Sequence, residues 1–178
     1  MRSLKNLNIK KSIEQNKLVY SEGWFDKFDR IAIYMFFSWG FLTPFLVYFN
    51  HHRDYSKTGI EFYLLFIFSF FCAFTIYRKA TEKKLTKIIS KYNAEENKLL
   101  INEYCEKKGF EKYRNSGNVI IYNRHNYQSI NPRDQTSRIF ILNKNNIYLT
   151  MIKESHKFNL PVLFSQISLK KDIKNLCQ

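Results

Sequence analysis

Histidine and acidic side chains meet at one place in this sequence. His51 and His52 are followed by Asp54, and two neutral imidazoles with a carboxylate can bind zinc or copper. Adjacent side chains of an extended segment point to opposite sides, so the two imidazoles are expected to diverge. We therefore expect no metal site and no cofactor.

The other reactive residues form no known catalytic motif. The five glycines are scattered, and the closest pair is eight positions apart, which excludes a glycine-rich phosphate loop. The sequence also contains no G-x-S-x-G, H-E-x-x-H or C-x-x-C motif. Cys72, Cys105 and Cys177 are odd in number and widely spaced, which indicates packing and no disulfide framework. We therefore expect a protein without enzymatic activity.

The charge balance is strongly basic. The 178 residues include 29 Lys and Arg against 15 Asp and Glu, which gives a net charge of +14. Such an excess attracts anionic partners such as phospholipid or nucleic acid. Nucleic acid is the less favoured partner because no RNA-recognition or helix-turn-helix pattern is present. We expect contact with a lipid bilayer that contains anionic phospholipids.

Two long apolar segments dominate the first half of the chain. Residues 31–49 are 19 residues without a charge, and residues 60–77 carry only Glu61 near their start. Nineteen residues of helix span about 28 Å, close to the ~30 Å hydrocarbon core of a bilayer. We therefore predict a transmembrane helical hairpin over residues 31–77. A buried helical pair of a soluble protein is disfavoured, because such helices usually show a polar stripe and these segments have none. A signal peptide is disfavoured by the long charged segment before residue 31.

The distribution of cations around these segments predicts their orientation. The 20 residues before Ile31 contain four Lys and Arg, the 20 after Tyr77 contain six, and the connecting loop contains two. Cationic flanks stay in the cytoplasm, so both termini are predicted to be cytoplasmic. The high content of Lys, Asn, Ile, Phe and Tyr is typical of AT-rich bacterial genomes. We therefore predict a multi-pass protein of a bacterial inner membrane.

The cations after the second span form a predicted lipid-binding cluster. They begin at the membrane surface and would continue for two to three helical turns, where each cation near anionic lipid contributes about 1 kcal/mol. The cluster consists of Arg78, Lys79, Lys83, Lys84 and Lys87.

Small residues are the predicted contacts between the two spans. Lipid offers no hydrophobic driving force for helix association, so small side chains that allow close backbone approach are favoured. The candidates are Ser38 and Gly40 on the first span and Ser69, Cys72 and Ala73 on the second.

The first 30 residues are predicted to be a basic arm followed by an interfacial segment. Trp24, Phe25 and Phe28 are interleaved with charges, which is typical of a short helix with an aromatic anchor at headgroup level. Residues 1–20 lack a strong hydrophobic period, so we expect a loosely ordered arm there.

Residues 78–178 are predicted to form a small cytoplasmic α+β domain. Asn93 with Glu96 three residues later resembles a capping box, so one bent helix and two separate helices both remain open. Gly109 should end this helical region, with Phe110 covering Tyr104 or Cys105. Apolar residues at helical spacing define the face of this region: Leu85, Ile88, Ile89, Tyr92, Leu99, Leu100 and Tyr104.

After Gly109 the hydrophobic period becomes that of strands. Turn clusters such as NSGN and NKNN separate them, which predicts an antiparallel sheet of four or five strands. A short closing helix is predicted over residues 168–177. The 14-residue loop 124–137 is the place to look for ligand contacts, although disorder is the favoured interpretation of this loop. The predicted strands are residues 110–114, 119–123, 138–142, 147–152 and roughly 157–160.

These features favour a non-enzymatic interaction module held at the cytoplasmic face of the membrane. An adaptor of an envelope complex and an immunity protein that blocks a toxin belong to this class, with a protein partner or a second copy of the chain. The alternative is a membrane-disrupting effector whose cytoplasmic domain senses an anionic ligand.

Overall fold

A computed structural model describes residues 4, 6–49, 59–125, 134–154 and 159–177. The chain divides into two compact units. One combines Met1–Glu22 with Thr81–Gln178, and we call it the sheet domain. The other is Gly23–Ala80, which we call the helical unit. This division differs from the sequence-based one, since the first 22 residues belong with the C-terminal part of the chain.

The helical unit contains α2 (Trp24–Tyr48) and all of α3 (Ile60–Thr81) except its last residue. Both helices are long and apolar enough to cross a membrane. The segment in which a short interfacial helix was expected is helical and continuous with the first span, because Trp24 is the first residue of α2. Asp26 explains this early start, since its Oδ2 accepts a hydrogen bond of 3.1 Å from the Gly23 backbone amide and caps the helix.

A five-stranded antiparallel sheet forms the centre of the sheet domain, as predicted. Its strand order is β1-β5-β4-β3-β2, and every neighbouring pair is antiparallel. Strands β2 to β5 lie side by side in the sheet in the order in which they follow one another along the chain. Strand β1 pairs with the other edge of β5. The strands are β1 (Thr86–Ile89), β2 (Glu111–Ser116), β3 (Val119–His125), β4 (Gln135–Asn143) and β5 (Asn146–Glu154).

One face of the sheet is covered by α4 (Ala94–Lys107) and α5 (Ser165–Cys177). Helix α5 begins three residues before the predicted start at Ser168. Ile101 of α4 and Ile173 of α5 are fully buried against this face. This is the larger of the two cores of the domain.

The opposite face of the sheet is covered by the N-terminal segment. Helix α1 (Ile9–Glu14) and the buried Leu18 pack against apolar residues of β3 and β4. The expectation of a loosely ordered arm is therefore wrong for the described residues of this segment. Burial of both sheet faces explains the result, since β3 and β4 contain continuous apolar runs that require cover on each side.

Short hydrogen bonds fasten the N-terminal segment to the chain just before β1. The Leu18 amide donates to the Lys83 carbonyl at 2.9 Å, and the Leu85 amide donates to the Asn16 carbonyl at 2.8 Å. Lys17 and Lys84 form an antiparallel bridge between the same two stretches. The segments that flank α2 and α3 are thus joined within one domain.

Two sequence predictions about strands and helices are corrected here. Leu85 and Ile88 do not belong to a helix, because α3 ends at Thr81 and residues 86–89 pair with β5 as strand β1. Asn159 and Leu160 form no strand, while residues 157–158 of that predicted strand lie outside the described residues. The fifth strand is therefore β1, whose four residues fit a helical pattern as well as an extended one.

Candidate functional site

A cavity of about 230 Å³ lies in the sheet domain. Its wall is built by the C-terminal part of α4, the first two turns of α5, and strands β3, β4 and β5. Charged side chains contribute much of this wall: Lys108, Arg124, Arg138 and Asp172.

The end of α4 positions two residues of the cavity wall, Lys108 and Phe110. Asn93 caps the start of the helix by accepting the backbone amide of Glu96 at 2.9 Å, so the predicted capping box is confirmed. At the other end Gly109 has a φ of +67°, and the Phe110 amide donates to the Cys105 carbonyl at 2.9 Å. This is a Schellman motif, and it holds Phe110 beside the cavity.

The Phe110 side chain packs on Tyr104, one of the two residues that it was expected to cover. Their ring centroids lie 6.4 Å apart in an edge-to-face arrangement. Lys108 extends across the Tyr104 ring, with its Nζ 5.8 Å from the ring centroid. The α4 terminus therefore supplies both an aromatic wall and a cation.

The sheet contributes two arginines to the same face. Arg138 lies opposite Tyr122 in the β3–β4 ladder, and Arg124 lies opposite Thr136. Because side chains alternate along a strand, Arg124 shares the face of Tyr122, and the two arginines become diagonal neighbours. Arg124 falls in the segment that was singled out as a place to look for ligand contacts, although β3 and β4 narrow the predicted loop 124–137 from both sides.

Arg138 is a buried cation. Its side chain is only 6% exposed, and its guanidinium carbon lies 3.7 Å from the centroid of the Phe110 ring. Nη1 donates to the Thr136 carbonyl at 3.3 Å, and no carboxylate pairs with the guanidinium in the described part of the chain. Burial lowers the pKa of Arg138, and the nearby charge of Arg124 lowers it further.

One carboxylate faces the cavity, and it is already engaged. The Tyr104 hydroxyl donates to Asp172 Oδ2 at 2.6 Å. Burial raises the pKa of Tyr104, and the hydrogen bond to Asp172 raises it further, because both disfavour the phenolate. Ser165 and Ser168 of α5 also line the cavity and add two hydroxyl groups.

No known family, curated protein or solved structure matches this chain. The chemistry of the cavity must therefore follow from its own side chains. Cations, hydroxyl donors and an aromatic wall suit the binding of an anion. The thiol of Cys105, next to Tyr104 in the chain, is held protonated, since burial raises the pKa of Cys105 to about 12.

No group of three His, Cys, Asp or Glu side chains could hold a metal ion among the residues that the structure describes. His51, His52 and Asp54 lie outside the described residues.

The predicted helix-packing residues differ in their burial and in their contacts with the facing helix. A Cβ on Gly40 would lie 2.9 Å from Cys72 Sγ, so the two helices approach closely there. The Ser69 hydroxyl donates to the Phe41 carbonyl of α2 at 2.9 Å. Ser38 is exposed and Ala73 is half-buried.

The predicted aromatic anchor lies in the first turns of α2. Trp24, Phe25 and Phe28 are all exposed, and the Trp24 ring stacks on Phe28 with 5.6 Å between centroids. These three residues remain candidates for contact with a membrane interface.

The predicted lipid-binding cluster does not form one continuous helical surface. Helix α3 ends at Thr81, so Lys83, Lys84 and Lys87 follow it, with Lys87 on β1. Lys83 pairs with Glu22 and lies over the Tyr20 ring at 4.7 Å. Three members differ further in exposure, since Lys79 is buried, Arg78 is half-buried and Lys84 is exposed.

Proposed function

We propose that this protein is a non-enzymatic interaction module anchored in a bacterial inner membrane. In this proposal α2 and α3 span the bilayer as a hairpin, and the sheet domain binds its partner at the cytoplasmic face. The observation that carries the proposal is the large apolar surface that α2 and α3 leave uncovered.

The exposed side chains of the helical unit are those that water disfavours most. Trp39 is 69% exposed and Phe70 is 74% exposed, although both side chains are large and apolar. Burial of apolar surface contributes about 25 cal/mol per Å², so such side chains favour lipid over water. Further large apolar residues are exposed along both helices: Met35, Phe36, Leu42, Leu46, Phe49, Ile60, Tyr63, Leu64 and Ile67.

The hydrogen bonds between residues 16–18 and 83–85 support a two-span topology. These segments flank α2 and α3 in the chain and belong to one domain. Segments that are hydrogen-bonded to each other must lie on the same side of a bilayer, so the chain between them crosses an even number of times. The excess of Lys and Arg on both flanks favours the cytoplasmic side.

Cysteine labelling in intact cells tests the topology. All three native cysteines are buried, so an introduced cysteine should dominate labelling by a membrane-impermeant maleimide. We expect Ser56→Cys, between α2 and α3, to be labelled in intact spheroplasts. Lys171→Cys, at an exposed position of α5, should be labelled only after permeabilisation.

The unsubstituted protein, labelled in parallel, is the control for background reaction. Equal labelling of Ser56→Cys and Lys171→Cys in intact spheroplasts would contradict the topology. Release of the protein by an alkaline carbonate wash would contradict membrane insertion itself.

The cationic cavity favours a second candidate function. In this alternative the sheet domain senses an anionic ligand, and oligomerised α2–α3 hairpins then disrupt the bilayer. Membrane potential separates the two candidates after induced expression in a bacterial host. We expect a potential-sensitive dye to report an unchanged potential, as for an empty vector, whereas collapse of the potential by the full chain would favour the effector.

A further inference from the structure

We propose that the cavity of the sheet domain binds a phosphate-type oxyanion through the guanidinium groups of Arg138 and Arg124. The ligand class is a phosphate monoester or inorganic phosphate. This site goes beyond the proposed membrane anchoring, because the residues that carry it all belong to the sheet domain.

The first observation is the unbalanced charge of Arg138. A guanidinium has five N–H donors, and this one makes a single hydrogen bond to the described residues, to the Thr136 carbonyl. Burying a charge without a counterion is costly, because the charge loses its interactions with water and gains no opposite charge in return. A bound oxyanion would supply both the missing charge and the missing acceptors, since guanidinium groups bind phosphate in bidentate fashion.

The second observation is the charge count of the cavity wall. Lys108, Arg124 and Arg138 contribute three positive charges, and Asp172 contributes one negative charge. The balance is 3 − 1 = +2, and a phosphate monoester carries about −1.5 to −2 at neutral pH. Asp172 need not repel the ligand strongly, because its Oδ2 already accepts the Tyr104 hydroxyl at 2.6 Å.

The third observation is the start of α5 at the cavity. Ser165 is the first residue of this 13-residue helix, and Ser168 lies one turn later. Both side chains line the cavity, where their hydroxyl groups can donate to a phosphate oxygen. The positive end of the helix dipole also favours an anion at this position.

Size and rigidity restrict the ligand further. The cavity of about 230 Å³ is below the ~300–1,000 Å³ of sites for drug-sized ligands, so it suits a phosphate group with the rest of an ester outside. The Phe110 ring, 3.7 Å from the guanidinium carbon, holds Arg138 in place before the ligand arrives. A soluble phosphate ester and the headgroup of phosphatidic acid present the same chemistry to this site.

Calorimetric titration of the full chain with inorganic phosphate tests the site. The protein is placed in phosphatidylcholine nanodiscs in a chloride buffer. We expect saturable binding with a Kd of about 0.1–1 mM, within the range of weak anion sites. Arg124→Gln should weaken binding about tenfold, as expected for loss of a charge-assisted hydrogen bond, and Arg138→Met should abolish it.

Arg114→Gln is the matched control. Arg114 is exposed on β2 and donates through Nε to Ser116 Oγ at 2.9 Å, away from the cavity wall. This variant should bind phosphate like the unsubstituted protein. If Arg138→Met fails to fold, Arg124→Gln still decides the question, because Arg124 is exposed and its replacement should leave the thermal unfolding temperature unchanged.

A second arm distinguishes the source of the phosphate group. The titration is repeated in nanodiscs that contain phosphatidic acid. Weaker apparent binding of inorganic phosphate would identify the lipid headgroup as a competing ligand, whereas unchanged binding would identify a soluble ester. Absence of phosphate binding at about 10 mM, well above the expected Kd, or equal binding by Arg124→Gln and Arg114→Gln, would overturn the proposal.

Discussion

Replacement of Phe140 by alanine is expected to lower the free energy of unfolding of the sheet domain by about 3–5 kcal/mol. Phe140 lies in β4, near the middle of the sheet, and its side chain is fully buried. It packs in the core that α4 and α5 close over the sheet, so truncation removes apolar contacts and leaves a cavity. Because domains of this size are stable by only about 5–15 kcal/mol, a large part of the stability would be lost.

Thermal unfolding of the full chain in detergent, followed by circular dichroism, measures this effect. Tyr113→Ala is the matched control, since Tyr113 is an aromatic strand residue that is 51% exposed. The control should change the free energy of unfolding by no more than about 0.5 kcal/mol. If both variants unfold at the same temperature, Phe140 does not occupy the core described above.

Gly40→Leu is expected to destabilise the contact between α2 and α3 by about 1–3 kcal/mol, the usual cost of overpacking. A Cβ at this position would lie 2.9 Å from Cys72 Sγ and 3.3 Å from Phe68 Cε1. Cys72 is fully buried, so its side chain has little room to move away. Leucine is a better helix former than glycine, and a loss of stability would therefore arise from the contact between the helices.

Thermal denaturation in detergent micelles measures the loss, with Ser38→Leu as control. Ser38 lies on the same helix but is exposed, so its replacement should have little effect. Cys72→Gly should restore part of the stability of Gly40→Leu, because it removes the nearest atom, Sγ. A double-mutant cycle gives the coupling between the two positions, and a coupling of zero would show that these residues do not touch.

The main elements of the fold follow from local sequence signals. Two long uncharged runs predict α2 and α3, since they are much longer than the roughly four to eight residues of an ordinary strand. Gly109 and Asn93 predict the ends of α4 because each satisfies a specific backbone requirement. Alternating strands separated by turn clusters predict the antiparallel sheet.

Contacts with distant parts of the chain determine the structure of the segments that were predicted wrongly from the sequence. Residues 86–89 have an ambiguous pattern, and the free edge of β5 selects the extended form. Residues 9–18 lack a strong period of their own, because only a few apolar residues such as Ile13 and Leu18 pack on the sheet. The apolar runs VIIY of β3 and IFIL of β4 could have indicated that this segment packs on the sheet. Such continuous runs imply that both faces of the sheet are covered.

The cavity was only partly predictable. Arg124 falls in the segment that was singled out as a place to look for ligand contacts, although disorder was favoured there. Arg138, Phe110, Tyr104 and Asp172 were not recognised as one site. Their sequence separation hides the relation, because α4, β4 and α5 meet only through long-range packing. Arg138 did carry a signal, since it shares the inward face of β4 with Phe140, where a cation is unusual.

The split sheet domain has a consequence for biosynthesis. The segment up to Glu22 leaves the ribosome before α2 and α3, yet the strands that it covers are synthesised only after these two helices. At ~5–20 residues per second, the N-terminal segment waits several seconds for its partner strands. During that interval the nascent chain presents unpaired apolar residues and both long apolar helices. Under the proposed membrane anchoring, these helices would be inserted during translation, before the sheet domain can form. A fragment that begins at Thr81 would lack the cover of one sheet face and should aggregate.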